Sequence, residues 1–202
     1  MAGPVAGAAA ARLGWAQAGR PAGHAHGLEG GHPPAWGHPQ RGLPVKLWRI
    51  AAETRQYPAH DLSGKGAAIS PGRWNEEQQA VVYAAPTIAM AVLETAAHLD
   101  PGGWPLNRFL VCIKVPDEVW ERREELPAEH LPPAWAAIPA GLSSVTVGAQ
   151  WLASRSSAIL LVPSVIVPEE WVALINPAHA DAARIKASVQ RPVTYQQLFR
   201  AI

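Results

Sequence analysis

The sequence predicts an α+β fold built on residues 45–202. Segments with the pattern of strands and segments with the pattern of helices are mixed there, without the strict alternation that a doubly wound sheet requires. The strand-like segments are short, rich in aliphatic residues and bounded by proline, glycine or asparagine. A chain of 202 residues suits one domain of ordinary size with an added tail, and no internal repeat is visible.

The first half of the domain contains three predicted strands and one long helix. Residues 45–50 alternate in polarity like a half-buried strand, which places Arg49 on the same face as Leu47, an unusual side for a charge. The helix starts at Pro86, a residue suited to a first helical turn, and runs to Leu99, where a DPGG turn ends it. The remaining predicted elements are strands at residues 80–84 and 109–115, with a loop at residues 60–80.

The second half is predicted to contain helices on either side of a proline-rich connection. Residues 117–125 predict a charged, exposed helix, residues 126–142 the connection, and residues 144–154 a second helix. Thr194 is a suitable N-cap for a last helix at residues 194–201. Extended segments are predicted at residues 158–162, 165–167, 171–175 and 184–189.

Residues 1–44 have the composition of a disordered tail. Ala, Gly, Pro and His occupy 31 of these positions, so the segment can bury too little apolar surface to offset the entropy of ordering. An alternative is that the protein starts later in the chain. Four histidines, His24, His26, His32 and His38, lack regular spacing and acidic neighbours, so we expect no metal site there.

Charge and cysteine content exclude several classes of protein. The net charge is +1, with 17 basic and 16 acidic residues, which disfavours a nucleic-acid-binding face. Cys112 is the only cysteine, which excludes an internal disulfide and favours a reducing compartment. No apolar run is long enough to span a membrane, and the start of the chain lacks a secretory leader pattern. We therefore expect a cytoplasmic protein without a membrane anchor.

Four polar residues stand in apolar or conformationally special surroundings: Arg73, Tyr83, Glu94 and Ser164. Arg73 follows a glycine turn, Tyr83 lies in a strand, Glu94 is the only charge in an apolar helix, and Ser164 separates two extended apolar runs. Taken singly, each has an ordinary structural explanation. In the same order, these are a surface arginine, a core tyrosine, a solvated carboxylate and a hydroxyl bonded to the main chain.

Together with their neighbours, these residues belong to a series of short motifs that follow one another in a recognisable order along the chain. The motifs are LWRI at 47–50, GRWN at 72–75, VY at 82–83, AMAVLE at 89–94, WL at 151–152 followed by RS at 155–156, LVPSVIVP at 161–168 and LINPAH at 174–179. In this respect the chain resembles the RES domain family, which is named for an arginine, a glutamate and a serine. In this sequence those residues look like Arg73, Glu94 and Ser164. The resemblance does not extend to the N-terminal tail.

The resemblance implies a toxin of a bacterial toxin–antitoxin pair, whose partner is an antitoxin with an Xre-like helix-turn-helix region. The implied fold is similar to that of ADP-ribosyltransferases, with a mixed sheet core and flanking helices. The implied activity is attack on the nicotinamide–ribose bond of NAD+. Since NAD+ would be the substrate, no cofactor and no metal are expected.

The chemistry of that bond suggests a role for each candidate residue. Cleavage leaves an oxocarbenium-like ribose, which the Glu94 carboxylate could stabilise, and releases neutral nicotinamide. Arg73, and with it Arg49, is a candidate to bind the diphosphate. The Tyr83 ring is a candidate to stack on nicotinamide, and the Ser164 hydroxyl to bind the carboxamide or ribose.

The sequence leaves the acceptor of the ADP-ribose open. Our first expectation is degradation of NAD+ by hydrolysis or phosphorolysis. The alternative is a protein ADP-ribosyltransferase that modifies a metabolic enzyme such as phosphoribosyl pyrophosphate synthetase. A third hypothesis is a catalytically silent module that acts only through its antitoxin.

Tryptophan content bears on the expected protein partner. The chain has nine tryptophans and two phenylalanines, and Trp120, Trp135 and Trp171 lie near charged or proline-rich segments. They either contribute to an exposed interface, where tryptophan is enriched, or fill core positions that phenylalanine would otherwise occupy.

Overall fold

The computed structural model describes residues 44–98 and 106–195. The predicted tail, apart from its last residue, and nearly all of the predicted helix at residues 194–201 lie outside these ranges. Within them, no helix combines the length and the apolar character needed to cross a membrane. The elements in chain order are β1 (Val45–Ala52), α1 (Lys65–Ile69), β2 (Val82–Ala84), α2 (Ile88–Ala96), β3 (Arg108–Val115), α3 (Asp117–Trp120), β4 (Glu124–Glu125), a 3₁₀ turn (Ala128–His130), α4 (Leu142–Ser154), β5 (Ile159–Pro163), β6 (Trp171–Ile175), a 3₁₀ turn (Ala180–Arg184) and β7 (Lys186–Pro192).

The strands form two sheets. The first is antiparallel with the order β1-β3-β7, and the second has the order β2-β6-β5-β4. The β4–β5 pair is parallel whereas the other pairs of the second sheet are antiparallel, so this sheet is mixed. Trp48 in β1 and Ala85 after β2 exchange two main-chain hydrogen bonds of 2.8 and 2.7 Å, which join the two sheets.

Strand β5 shows how the sheets and helices are layered. Its side chains are buried on both faces, which explains why the sequence reads as a continuous apolar run. Ile159 and Leu161 pack toward the first sheet, in a core that includes Leu47 and Ile113 of β1 and β3. The alternate residues of β5 pack in a second core with Trp74, Trp135 and Trp151, the last of these from α4.

Helix α2 covers the outer face of the first sheet. Met90 and Ala91 of α2 are buried with Ala85, and they pack against Trp48 and Ile50 of β1. The helix begins one residue after Thr87, whose hydroxyl accepts a hydrogen bond of 3.1 Å from the Met90 N–H. The helix therefore starts two residues later than the proline pattern predicted.

The prediction of an α+β fold is confirmed, but several local predictions are wrong. The helix predicted at residues 117–125 is one turn, Asp117–Trp120, and Glu124–Glu125 instead pair with β5. Residues 165–167 are a series of bends rather than a strand. The short helix α1 lies where we expected a loop. The remaining strands and α4 lie within about two residues of their predicted starts, except that β7 extends three residues further, to Pro192.

Candidate active site

Glu94 and Ser164 are in direct contact although 70 residues separate them. The Ser164 hydroxyl donates a hydrogen bond of 2.5 Å to Oε1 of Glu94. Glu94 lies at the end of the second turn of α2, and Ser164 is the first residue after β5. The contact therefore joins the helix on the outer face of the first sheet to the end of a central strand of the second.

Ser164 holds this position through a complete set of hydrogen bonds. Its hydroxyl oxygen accepts from the main-chain N–H groups of Ile166 and Val167, at 3.1 and 3.2 Å. Its own N–H donates to the carbonyl of Glu170 at 2.8 Å, and the residue is 1% exposed. A serine hydroxyl has one hydrogen and two lone pairs. All three are used here, which suits Ser164 to holding the Glu94 carboxylate rather than to binding a substrate.

Arg73 is anchored in the loop between α1 and β2. Its Nη1 donates to the carbonyls of Trp135 and Ala137, at 2.8 and 2.9 Å. Burial lowers the pKa of Arg73, while the charge of Glu94 and, to a smaller extent, Tyr83 raise that pKa. Within residues 44–98 and 106–195, Arg73 forms hydrogen bonds from Nη1 and none from Nε or Nη2. That edge of the guanidinium can therefore bind an anion.

The Tyr83 hydroxyl is tied to the Arg73 loop. It accepts a hydrogen bond of 3.0 Å from the Trp74 N–H and donates one of 2.8 Å to Oδ1 of Asn75. Burial raises the pKa of Tyr83 to about 12, against a smaller lowering by the Trp74 N–H and Arg73. The absence of a side chain at Gly72 permits this packing, since a Cβ there would lie 2.6 Å from the Tyr83 oxygen.

Arg49 is not brought to this group. It lies on the face of β1 that carries Leu47 and Ala51, whereas α2 packs on the opposite face. Its Nη1 donates to the Asp61 carbonyl at 3.3 Å, and burial lowers its pKa while Asp61 raises it. The assignment of Arg49 to a diphosphate therefore depends on the sequence resemblance alone.

The tryptophans expected at an exposed interface are mostly in the core. Trp120 is 8% exposed and Trp135 is 7% exposed, and only Trp171 of the three is partly exposed. Trp135 stacks on Trp74, with ring centroids 6.3 Å apart. Trp120 and Trp135 therefore fit the second expectation from the sequence, in which tryptophan fills core positions.

Two cavities of about 210 Å³ lie away from the four residues, one lined by Gln79 and Arg155 and the other by Arg108 and Tyr195. Among the described residues, no group of three or more His, Cys, Asp or Glu side chains could hold a metal ion.

Sequence reasoning missed Asn75, which links Arg73 and Tyr83. Its Oδ1 accepts from the Tyr83 hydroxyl and from the Gly72 N–H, and the residue is 1% exposed. Asparagine near a Pro-Gly turn is ordinarily a turn residue, so nothing in the local pattern marked it. The only available signal was its place in the GRWN motif.

Comparisons with known proteins support one family assignment. The family model described as "RES domain" matches residues 46–196. A protein of Sphingobium sp. named "Prs ADP-ribosylating toxin" is 54% identical over 153 residues, which cover 76% of this chain and 95% of that protein. A protein of Pseudomonas putida named "Toxin Res" is 37% identical, over 76% of this chain and 99% of that protein.

A solved structure shares the fold. The crystal structure of the M. tuberculosis MbcT–MbcA toxin–antitoxin complex contains a chain that superposes with a TM-score of 0.56. The match covers 79% of this chain and 92% of that chain, at 17% sequence identity. The family model and the two relatives agree, and the chain belongs to the RES domain family.

Proposed function

We propose that this protein is the toxin of a toxin–antitoxin system and that it transfers ADP-ribose from NAD+ to a protein. The observation that carries the proposal is the 2.5 Å hydrogen bond between Ser164 and Glu94. This bond holds the Glu94 carboxylate in place, and two main-chain carbonyls hold Arg73, whose charge interacts with that of Glu94. A fixed anion and a fixed cation suit a substrate in which positive charge develops on a ribose beside a diphosphate.

The reaction breaks the bond between the ribose C1′ and the nicotinamide nitrogen. The electron pair leaves with nicotinamide, which becomes neutral, so the leaving group needs little acid catalysis. The ribose carries the positive charge, and a nearby carboxylate stabilises it most when that charge is fully developed. A nucleophile of the acceptor then forms a bond to C1′ and releases its proton to solvent water.

The scheme assigns one role to each of the four residues. Glu94 stabilises the cationic ribose and is the catalytic residue. Arg73 binds the diphosphate through Nε and Nη2, because Nη1 is already bonded to the carbonyls of Trp135 and Ala137. The face of the Tyr83 ring stacks on nicotinamide, and Ser164 positions Glu94.

The acceptor is proposed from a relative rather than from the site. Hydrolysis, phosphorolysis and protein modification share the NAD+ half of the reaction, so the four residues suit all three. The sequence placed water or phosphate first. The relative that is 54% identical over 95% of its length is named as a toxin that ADP-ribosylates Prs. We therefore place a protein acceptor first, with phosphoribosyl pyrophosphate synthetase as the candidate.

The inhibitory partner is proposed in the same way. The shared fold with a chain of a toxin–antitoxin complex supports an antitoxin partner, and the family resemblance supports an Xre-like one. Expression of the toxin alone should arrest growth of a bacterial host. Co-expression of a small helix-turn-helix protein encoded beside its gene should restore growth and yield a co-purifying complex.

An assay with NAD+ labelled in the adenylate part tests the activity. The protein is incubated with labelled NAD+ in four mixtures: buffer, phosphate, purified phosphoribosyl pyrophosphate synthetase, and bacterial lysate. Label on the synthetase supports the proposal, whereas free ADP-ribose or its phosphorylated form as the main product would favour the hydrolase or phosphorylase. Glu94→Gln is the negative control. No consumption of NAD+ in any mixture would refute an NAD+-using enzyme and support a silent module.

A further inference from the structure

We propose that Asn75 is the positioning residue that holds Arg73 in place for NAD+ binding. This inference depends on the proposed use of NAD+ by the same site. The two residues adjacent to Arg73 are both fixed by a network centred on the Asn75 side chain. The Gly72 N–H donates directly to Asn75 Oδ1 at 2.9 Å. The Trp74 N–H donates to the Tyr83 oxygen, whose hydrogen is in turn donated to Asn75 Oδ1.

The amide end of Asn75 fixes the network to the rest of the loop. Its Nδ2 lies 2.9 Å from the carbonyls of Ala67 and Glu76 and 3.1 Å from that of Gln79. An amide nitrogen has two hydrogens, so two of the three carbonyls share one hydrogen. Asn75 thereby connects the Arg73 loop both to α1 and to the chain segment that leads into β2. Only asparagine and glutamine carry an acceptor and two donors on one amide group, and asparagine is the shorter of the two.

The arrangement determines where the Arg73 guanidinium points. The backbone on both sides of Arg73 is held through Asn75, and the side chain is held at Nη1 by two carbonyls. The Tyr83 ring is fixed by the same Oδ1 atom. Loss of the Asn75 amide should therefore move the diphosphate-binding and nicotinamide-stacking groups together, without touching Glu94. The defect should affect binding of NAD+ more than turnover of bound NAD+.

A double-mutant cycle tests the inference. Steady-state NAD+ consumption is measured for the full-length wild type, Asn75→Ala, Arg73→Ala and the double variant. Arg73→Ala should raise KM for NAD+ by about 10- to 100-fold, the scale of a hydrogen bond to a charged group. Asn75→Ala should raise KM by about 10-fold, with a smaller change in kcat. The loss in the double variant should be smaller than the product of the two single losses, because Asn75 acts in large part through Arg73 and only in part through Tyr83.

Two further variants separate positioning from a loss of stability. Gln79→Ala removes another loop hydrogen bond, the 2.9 Å contact from the Glu76 N–H to the Gln79 side chain, and keeps the Gln79 carbonyl that Asn75 contacts. Its KM should equal that of the wild type. Asn75→Gln keeps the amide acceptor and donors but shifts them by one methylene group, so it should have an intermediate KM. It also replaces Asn75→Ala in the cycle if the alanine variant does not fold.

The outcomes distinguish failure of the inference from failure of the proposed function. Losses in KM that multiply in the double variant, or a Gln79→Ala defect as large as that of Asn75→Ala, would overturn the role of Asn75 while leaving NAD+ as the substrate. A folded wild type that neither binds nor consumes NAD+ would refute the proposed function, and the role of Asn75 in NAD+ binding with it.

Discussion

The hydrogen bond between Ser164 and Glu94 gives the sharpest prediction. Ser164→Ala removes the only hydroxyl that contacts the Glu94 carboxylate among the described residues, and it also removes the acceptor for the N–H groups of Ile166 and Val167. The substitution leaves the carboxylate in place. If Ser164 positions Glu94, activity should fall because the carboxylate is no longer held where positive charge develops on the ribose.

The size of the effect follows from the three lost hydrogen bonds. A bond to a charged group contributes about 1.5–3 kcal/mol, and each of the two bonds from the main chain about 1 kcal/mol. The free energy of unfolding should therefore fall by about 3–5 kcal/mol, within the range of about 5–15 kcal/mol that a domain has. If the full energy of the Ser164–Glu94 hydrogen bond stabilises the transition state, its loss should lower turnover by about 10- to 100-fold.

The assay is NAD+ consumption by folded protein, measured for Ser164→Ala, Glu94→Gln and the double variant. Glu94→Gln should lose about 10²- to 10³-fold in turnover, the scale of one preorganised electrostatic group. The double variant should lose no more than Glu94→Gln, since Ser164 acts only through that carboxylate. Ser156→Ala is the matched control, because it removes an exposed serine–serine contact of 2.9 Å and should leave activity unchanged. Losses that multiply would refute the positioning role of Ser164.

Three further predictions concern the surroundings of the site. Arg73→Ala should weaken binding of NAD+ by about 10- to 100-fold in titration calorimetry while the protein stays folded; a collapsed melting temperature would make Arg73 structural. Gly148→Ala should lower the melting temperature, because its Cβ would lie 1.9 Å from the Trp74 carbonyl oxygen, whereas Gly66→Ala, with open space around the new methyl group, should not. Since the pKa of Tyr83 is raised to about 12, its neutral form is favoured in the folded state. The wild type should therefore lose up to about 3 kcal/mol of stability between pH 10 and 12, as only the unfolded tyrosine ionises. Tyr83→Phe should lack this component in alkaline denaturation curves, and equal curves for the two proteins would contradict it.

The core of the fold was predictable where burial alone shapes the sequence. Strand β5 is apolar throughout because both of its faces are covered. The failures have tertiary causes. Residues 165–167 have the β-branched composition of a strand, but the Ser164 hydroxyl captures two of their N–H groups and bends the chain. Glu124–Glu125 have helical composition, but β5 offers them a parallel partner.

The candidate site was predictable in its residue types and not in its connections. A family resemblance singled out Arg73, Glu94 and Ser164, yet no periodicity could show that a helix residue contacts a serine 70 positions later. The role of Asn75 was hidden for a similar reason, because its partners come from α1, the loop and β2. For the same reason, the sequence could not show that the charge of Arg49 interacts with that of Asp61.

The position of Glu94 depends on how the two sheets are joined. Helix α2 follows β2, which belongs to the second sheet, but it packs on β1 of the first through Trp48 and Ile50. The Trp48–Ala85 bridge fixes the start of this crossing. Ser164, at the end of β5, belongs to the second sheet alone. The Ser164–Glu94 bond is therefore formed only when the bridge and the packing of α2 are both correct, so the position of the Glu94 carboxylate depends on the tertiary fold and not on α2 alone.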